Sequence, residues 1–143
     1  MNGTTDLYPA LRKITSELFA LRVTGRPVEF RFEKPSMIGV RGLAFRSGEG
    51  AVIYVNPSPD ETQVLKTALH EIGHVATHHG EMMDISDEWQ LAGKTIPEVN
   101  TVPEKLERTV ESRGDEWYRR SVELEPFGDY VQRMNALIRD YRR

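Results

Sequence analysis

Leu7, Leu11, Ile14, Leu18 and Leu21 recur at steps of three and four residues, the spacing of one helical face, and Gly25 with Pro27 marks where such a helix ends. Its apolar stripe is expected to face the core. Val28, Phe30 and Phe32 then alternate with Glu29 and Arg31, the period of a half-buried strand closed by Pro35. A second strand is expected within Ile38 to Arg46, where Gly39 and Gly42 interrupt the pattern in the manner of a bulge. Ser47-Gly48-Glu49-Gly50 reads as a hairpin turn into a third strand, "AVIYV", stopped by Asn56-Pro57-Ser58-Pro59. Beyond this point the periodicity is helical. Asp60 is placed to cap a helix running to about His79, with Gly80 as its stop. A less regular stretch from Glu81 to Val102 precedes a helix from Pro103 to about Leu124 and a last one from about Phe127 to Tyr141. Helix, three strands, then helices predicts an α+β domain with a three-stranded antiparallel sheet.

Composition narrows the chemistry. A chain of 143 residues is expected to form one domain, spanning 1–143, with a core large enough to need no disulfide. Cysteine is absent, so a metal must be held by His, Asp or Glu, and no cysteine nucleophile exists. The longest all-apolar run, Ala51 to Val55, is far shorter than a signal sequence or a membrane span. The protein is therefore expected to be soluble, unexported and cytoplasmic. A net charge of −3, from 19 basic and 22 acidic residues, produces no field that recruits nucleic acid or anionic lipid.

The informative segment is Thr67 to Gly80, "TALHEIGHVATHHG", which holds all 4 histidines. On a helix, Leu65, Ala68, Leu69, Ile72, Val75 and Ala76 gather on one side, with His70 and His74 about 40° apart on the other. Residues one turn apart are about 6 Å apart along the axis, so both imidazoles can reach one zinc ion. Glu71 projects beside that point, where it can hold a water. This is the HExxH arrangement, His70-Glu71-Ile72-Gly73-His74, which arises by chance in roughly one in a hundred chains of this composition. The bland alternative is a solvated polar face. His78 lies on the Glu71 side and can contact a bound carbonyl or the metal site, or serve as a favourable charge at the helix C-terminus. His79 points to the apolar side, for packing or capping.

A catalytic zinc takes three protein ligands and leaves one position for water. The third ligand is expected from "LERTVESRGDEWYRR", where Leu106, Val110, Trp117 and Leu124 form a core stripe and Glu111 and Asp115 stand one turn apart on a flank. One carboxylate can bind metal while the other orients a ligating histidine ring. Glu107, four residues before Glu111, is an equal candidate on spacing alone.

HEIGH followed by a helical Glu-x-x-x-Asp resembles the gluzincin metallopeptidases. The layout of an apolar strand ending in Asn-Pro before an HExGH helix is most similar to the ImmA/IrrE family of cytoplasmic bacterial and phage-type zinc metallopeptidases. The likeness covers roughly Val28 to Leu124. In that family the later helix commonly reads Glu-x-x-Ala-Asn/Asp-x-aromatic. Here it reads Glu111-Ser-Arg-Gly114-Asp115-Glu-Trp117, with Gly114 for the usual Ala and Tyr118 where a small residue is common, a match that selects Glu111 over Glu107. The resemblance implies a minimal zincin-like domain. It implies zinc held by His70, His74 and Glu111, Asp115 beside them and Glu71 as general base, and hydrolysis of a peptide bond in a specific intracellular protein, such as a transcriptional regulator. The same chemistry makes Tyr118 or His78 candidates for the oxyanion or substrate contact, and the charge balance leaves no direct contact to nucleic acid or membrane expected. The "AVIYV" strand is expected either to pair with an extended substrate or to be a plain core strand, and Glu81 to Val102, with Trp89, to cover the cleft. The contrasting class is a non-catalytic, zinc-stabilised regulatory or adaptor domain that binds a partner protein.

Overall fold

The computed structural model describes residues 8–95 together with Arg108 and Val110. Helix α1 (Tyr8–Thr24) leads into β1 (Val28–Arg31), β2 (Gly42–Ser47), β3 (Gly50–Val55) and helix α2 (Glu61–His78), followed by two short 3-10 helices, His79–Glu81 and Ile85–Leu91. The α+β class and this element order match the sequence-based expectation. The predicted helices after Pro103 lie outside the described residues, apart from helical Arg108 and Val110.

The sheet is mixed rather than antiparallel. Its order is β1-β3-β2, with β3 antiparallel to β2 across a two-residue turn and parallel to β1. The connection from 32 to 41 explains the difference. It crosses one face of the sheet, burying Met37 and Val40 and turning at Gly39 (φ 77°), and delivers β2 one strand position away from β1. The hairpin then returns β3 into the gap. Register is continuous from Gly42↔Val55 to Ser47↔Gly50, so Gly42 marks no bulge. Gly48, at φ 56°, supplies the backbone conformation the tight turn requires.

Both faces of β3 are covered. Ala51, Ile53 and Val55 pack with Phe30 against Val64, Leu65, Ala68, Leu69, Ile72 and Val75 of α2, the apolar stripe expected from the sequence. Val52 and Tyr54 face the other way and pack with Phe45, Met37, Val40 and Leu91. Tyr54 accepts a hydrogen bond from Arg31 Nη1 at 2.8 Å and donates one to Glu88 Oε1 at 3.1 Å. Burial, then the bond to Glu88, pushes its hydroxyl above the ordinary tyrosine range, so it stays protonated and able to donate. Met83, Ile85 and Leu91 thus lie on the sheet face away from α2, while Met82 packs on the α2 side. The described part of the expected cleft cover is a second core layer, and Trp89 is 72% exposed.

Helix α1 also turns the opposite way to expectation. Ile14, Leu18 and Leu21 are exposed, while Arg12, Ser16, Phe19 and Ala20 are buried. Small Ser16 and Ala20 let the helix backbone approach its neighbours closely, and α1 packs against β1 and α2. The polar members of this face have specific partners: the Arg12 guanidinium sits 4.4 Å over the Phe32 ring, and Glu17 Oε2 accepts the Phe30 N–H at 2.8 Å. That last bond occupies the outer edge of β1. Gly25, at φ 70°, ends α1 by donating its N–H to the Leu21 carbonyl, as its position in the sequence predicts.

Asp60 caps α2, its Oδ1 accepting from Thr62 N at 3.1 Å and Gln63 N at 3.2 Å. The other end differs from expectation. Instead of a left-handed glycine stop at Gly80, the chain tightens into the 3-10 turn His79–Glu81, with Met82 N donating to His79 O. His79 Nε2 donates to the Gly50 carbonyl at 2.7 Å and so ties the helix end to the hairpin, a packing role rather than a cap on a carbonyl of α2. Among the described residues, no helix is long and apolar enough to cross a membrane.

Candidate metal centre

Two neighbours enclose the polar side of α2. On one side is β2: a Cβ built on Gly42 would lie 2.8 Å from Thr67 Cγ2, 3.0 Å from the Tyr54 carbonyl oxygen and 3.1 Å from Glu71 Cγ. On the other is Val110, fully buried as its place in the predicted stripe requires; a Cβ on Gly73 would meet its Cγ1 at 3.1 Å and its carbonyl oxygen at 3.3 Å. The glycine between the two motif histidines therefore leaves room for Val110 to pack directly on α2. Sequence reading noted both glycines without seeing these contacts. A glycine at the start of an otherwise apolar strand is the available signal for close backbone approach.

Enclosure removes the solvated-face alternative. Glu71 is 7% and His74 8% exposed, and His70 is half-buried. Burying a carboxylate and an imidazole is costly unless they are paired, hydrogen-bonded or coordinated to a metal. One ligand atom each from His70, Glu71 and His74 lie within 4.8 Å of one another. Two donors on a tetrahedral zinc at a bond length of about 2.0–2.1 Å are about 3.3 Å apart, a spacing reachable from here by side-chain rotation. Two imidazole nitrogens with a carboxylate beside them and no thiolate are a chemistry that zinc accepts, the carboxylate standing where it can hold a water. The residues present fit a divalent metal ion.

His74 is further anchored. Its Nδ1 lies 2.7 Å from His78 Nε2, and the two rings stand edge to face at 4.9 Å, as do those of His70 and His74 at 5.0 Å. His78 thus turns toward the motif. Glu107, Glu111, Asp115 and Tyr118 lie outside the described residues.

The "AVIYV" strand occupies the centre of the sheet, hydrogen-bonded on both sides, so it has no edge to offer a substrate. Among the described residues, β2 is bridged along its outer edge only at Arg46. Arg46 N donates outward to Met83 O, and the period of two puts the backbone groups of Gly42 and Ala44 on that same outer side. No described residue hydrogen-bonds to those groups there.

No curated protein and no solved structure shows a significant match to the chain. The model of the Peptidase M78 family, described as the IrrE N-terminal-like domain, matches residues 25–98. That span runs from the turn before β1 through the whole histidine helix and takes in just over half of the sequence; the chain belongs to this ImmA/IrrE family of metallopeptidases.

Proposed function

We propose that the domain is a zinc-dependent peptidase of gluzincin type acting on a specific intracellular protein. The observation that carries this reading is the enclosed group of His70, Glu71 and His74, whose donor atoms converge within 4.8 Å on one helix face of a Peptidase M78 domain. His70 and His74 hold the zinc with Glu111 as third ligand, and Asp115 orients a ligand ring. Support for Glu111 comes from the family-like run Glu111-Ser-Arg-Gly114-Asp115, which follows Val110, the residue packed on Gly73 between the two histidines. A zinc ion so held supplies a Lewis acid that acidifies water and polarises the scissile carbonyl. Glu71 takes the water proton and delivers it to the leaving amine. The outer edge of β2 at Gly42 and Ala44 binds an extended peptide by strand addition, beside Glu71.

Zinc titration tests the metal assignment. Zinc at a hundredfold excess over Kd is expected to stabilise the fold by about 2.7 kcal/mol, because the unfolded chain lacks the formed site. For a domain of this size that raises Tm by about 5–10 °C. A chelator reverses the shift and leaves a folded apo protein. A melting temperature indifferent to zinc and chelator alike counts against a metal at these residues. A protein that binds zinc yet cleaves no protein supports the adaptor alternative.

Gly42→Ala tests the substrate edge. The Tyr54 carbonyl belongs to the central strand and cannot retreat, so the added methyl displaces β2 or Glu71. Overpacking of this kind costs about 1–3 kcal/mol of stability. A misplacement near 1 Å lowers the rate of hydrolysis by about a hundredfold. Zinc affinity, set by other side chains, is expected to hold. Unchanged kcat together with unchanged stability would remove Gly42 from the site.

A further inference from the structure

We infer that His78 is a positioning residue for the metal centre, its Nε2 accepting the Nδ1 hydrogen of His74 and so holding His74 in the tautomer that presents Nε2 to the metal. The inference rests on the metal-binding reading above. His78 follows His74 by one helical turn, where side chains on the same face meet. Its Nε2 is 2.7 Å from His74 Nδ1, and with the ring centroids 4.9 Å apart and the planes crossed at 88° the two nitrogens meet edge to edge, where the in-plane lone pair of one can take the hydrogen of the other.

A neutral imidazole carries one N–H and one lone pair, so this contact admits two arrangements. If His74 Nδ1 donates, the His74 lone pair sits on Nε2, the ring nitrogen left for a metal. If His78 Nε2 donates instead, the His74 hydrogen moves to Nε2 and that nitrogen cannot bind a metal. The tautomer of His78 therefore decides whether His74 is competent. Metal-ligating histidines normally give their second N–H to a carboxylate, a backbone carbonyl or water. Here the acceptor at His74 is a second, half-buried imidazole supplied by the same helix.

The test uses the full chain with zinc as the only probe. His78→Phe keeps a ring but removes the acceptor, and is expected to weaken zinc binding by about ten- to a hundredfold in competition with a chromophoric chelator. In His78→Gln the amide oxygen can take the place of Nε2, so most of the lost affinity is expected to return. Long-range proton–nitrogen NMR of zinc-loaded wild type is expected to show His74 protonated at Nδ1 and His78 at its own Nδ1. Wild-type affinity in His78→Phe overturns the proposal, as does equal loss in both variants, which makes the ring itself a ligand or a scaffold. Protonation of His74 at Nε2 in the zinc-loaded wild type overturns it even if neither variant folds. Wild type that binds no zinc removes the metal reading and this inference together; wild type that binds zinc beside an unimpaired His78→Phe removes only the inference.

Discussion

Glu71→Gln is expected to retain fold and zinc and to lose peptide hydrolysis by about 10²–10⁴-fold, the contribution of a positioned general base. The amide matches the carboxylate in shape, so the packing of Glu71 against Gly42 survives the change. Stability is also expected to hold, because Glu71 is only 7% exposed and exchanging a buried charge for a neutral amide relieves desolvation. What disappears is the lone pair that takes the proton. The loss should fall on kcat with KM little altered, since the base acts in the transition state rather than in binding. Zinc affinity measured on the same preparation separates a missing base from a missing metal. Undiminished turnover of the native substrate would show that Glu71 is not the base.

Local patterns were legible in the sequence wherever one element carried its own signal. Asp60 before an apolar-periodic run, Gly25 after one, and the two-residue turn at Gly48 all appear where they were read, since each is decided by backbone conformation and hydrogen bonds within a few residues. The histidine face was legible for the same reason: HExxH is a property of one helix.

What failed depended on which neighbour an element meets. Periodicity located two faces on α1 but not the one that is buried, because the packed side is built from Ser16, Ala20 and Arg12, which contribute little to an apolar count. The parallel pairing of β1 with β3 depends on a connection that skips a strand position. Its trace in the sequence is "AVIYV" itself, a continuous apolar run rather than an alternating one, as expected of a strand buried on both faces. β2, whose glycine-interrupted pattern looked the least like a strand, is an edge strand of the sheet.

The third metal ligand depends on tertiary packing in the same way, and here the competing assignments predict opposite orders. If Glu111 binds zinc, Glu111→Ala removes a ligand and is expected to weaken affinity beyond the ten- to hundredfold typical of losing an outer-shell partner, the range expected for Asp115→Ala. If Glu107 is the ligand, Glu111 takes the outer place. Glu107→Ala then becomes the severe lesion, and Asp115→Ala costs only what an exposed helix substitution does, within about 0.5 kcal/mol of stability. The family pattern favours the first order. The run Glu111-Ser-Arg-Gly114-Asp115 carries the Glu-x-x-x-Asp spacing of the family's later helix, and Val110 beside it lies directly on Gly73. Gly73 allows an internal check. Alanine gains about 1 kcal/mol over glycine in helix propensity, yet its methyl would sit 3.1 Å from Val110 Cγ1 and 3.3 Å from the Val110 carbonyl oxygen. Gly73→Ala is therefore expected to push the Val110 segment outward and weaken zinc binding through Glu111, even where the isolated helix is stabilised. Zinc affinities of the three carboxylate variants, measured beside Gly73→Ala, decide the register, and full affinity in Glu111→Ala would refute the gluzincin ligand set.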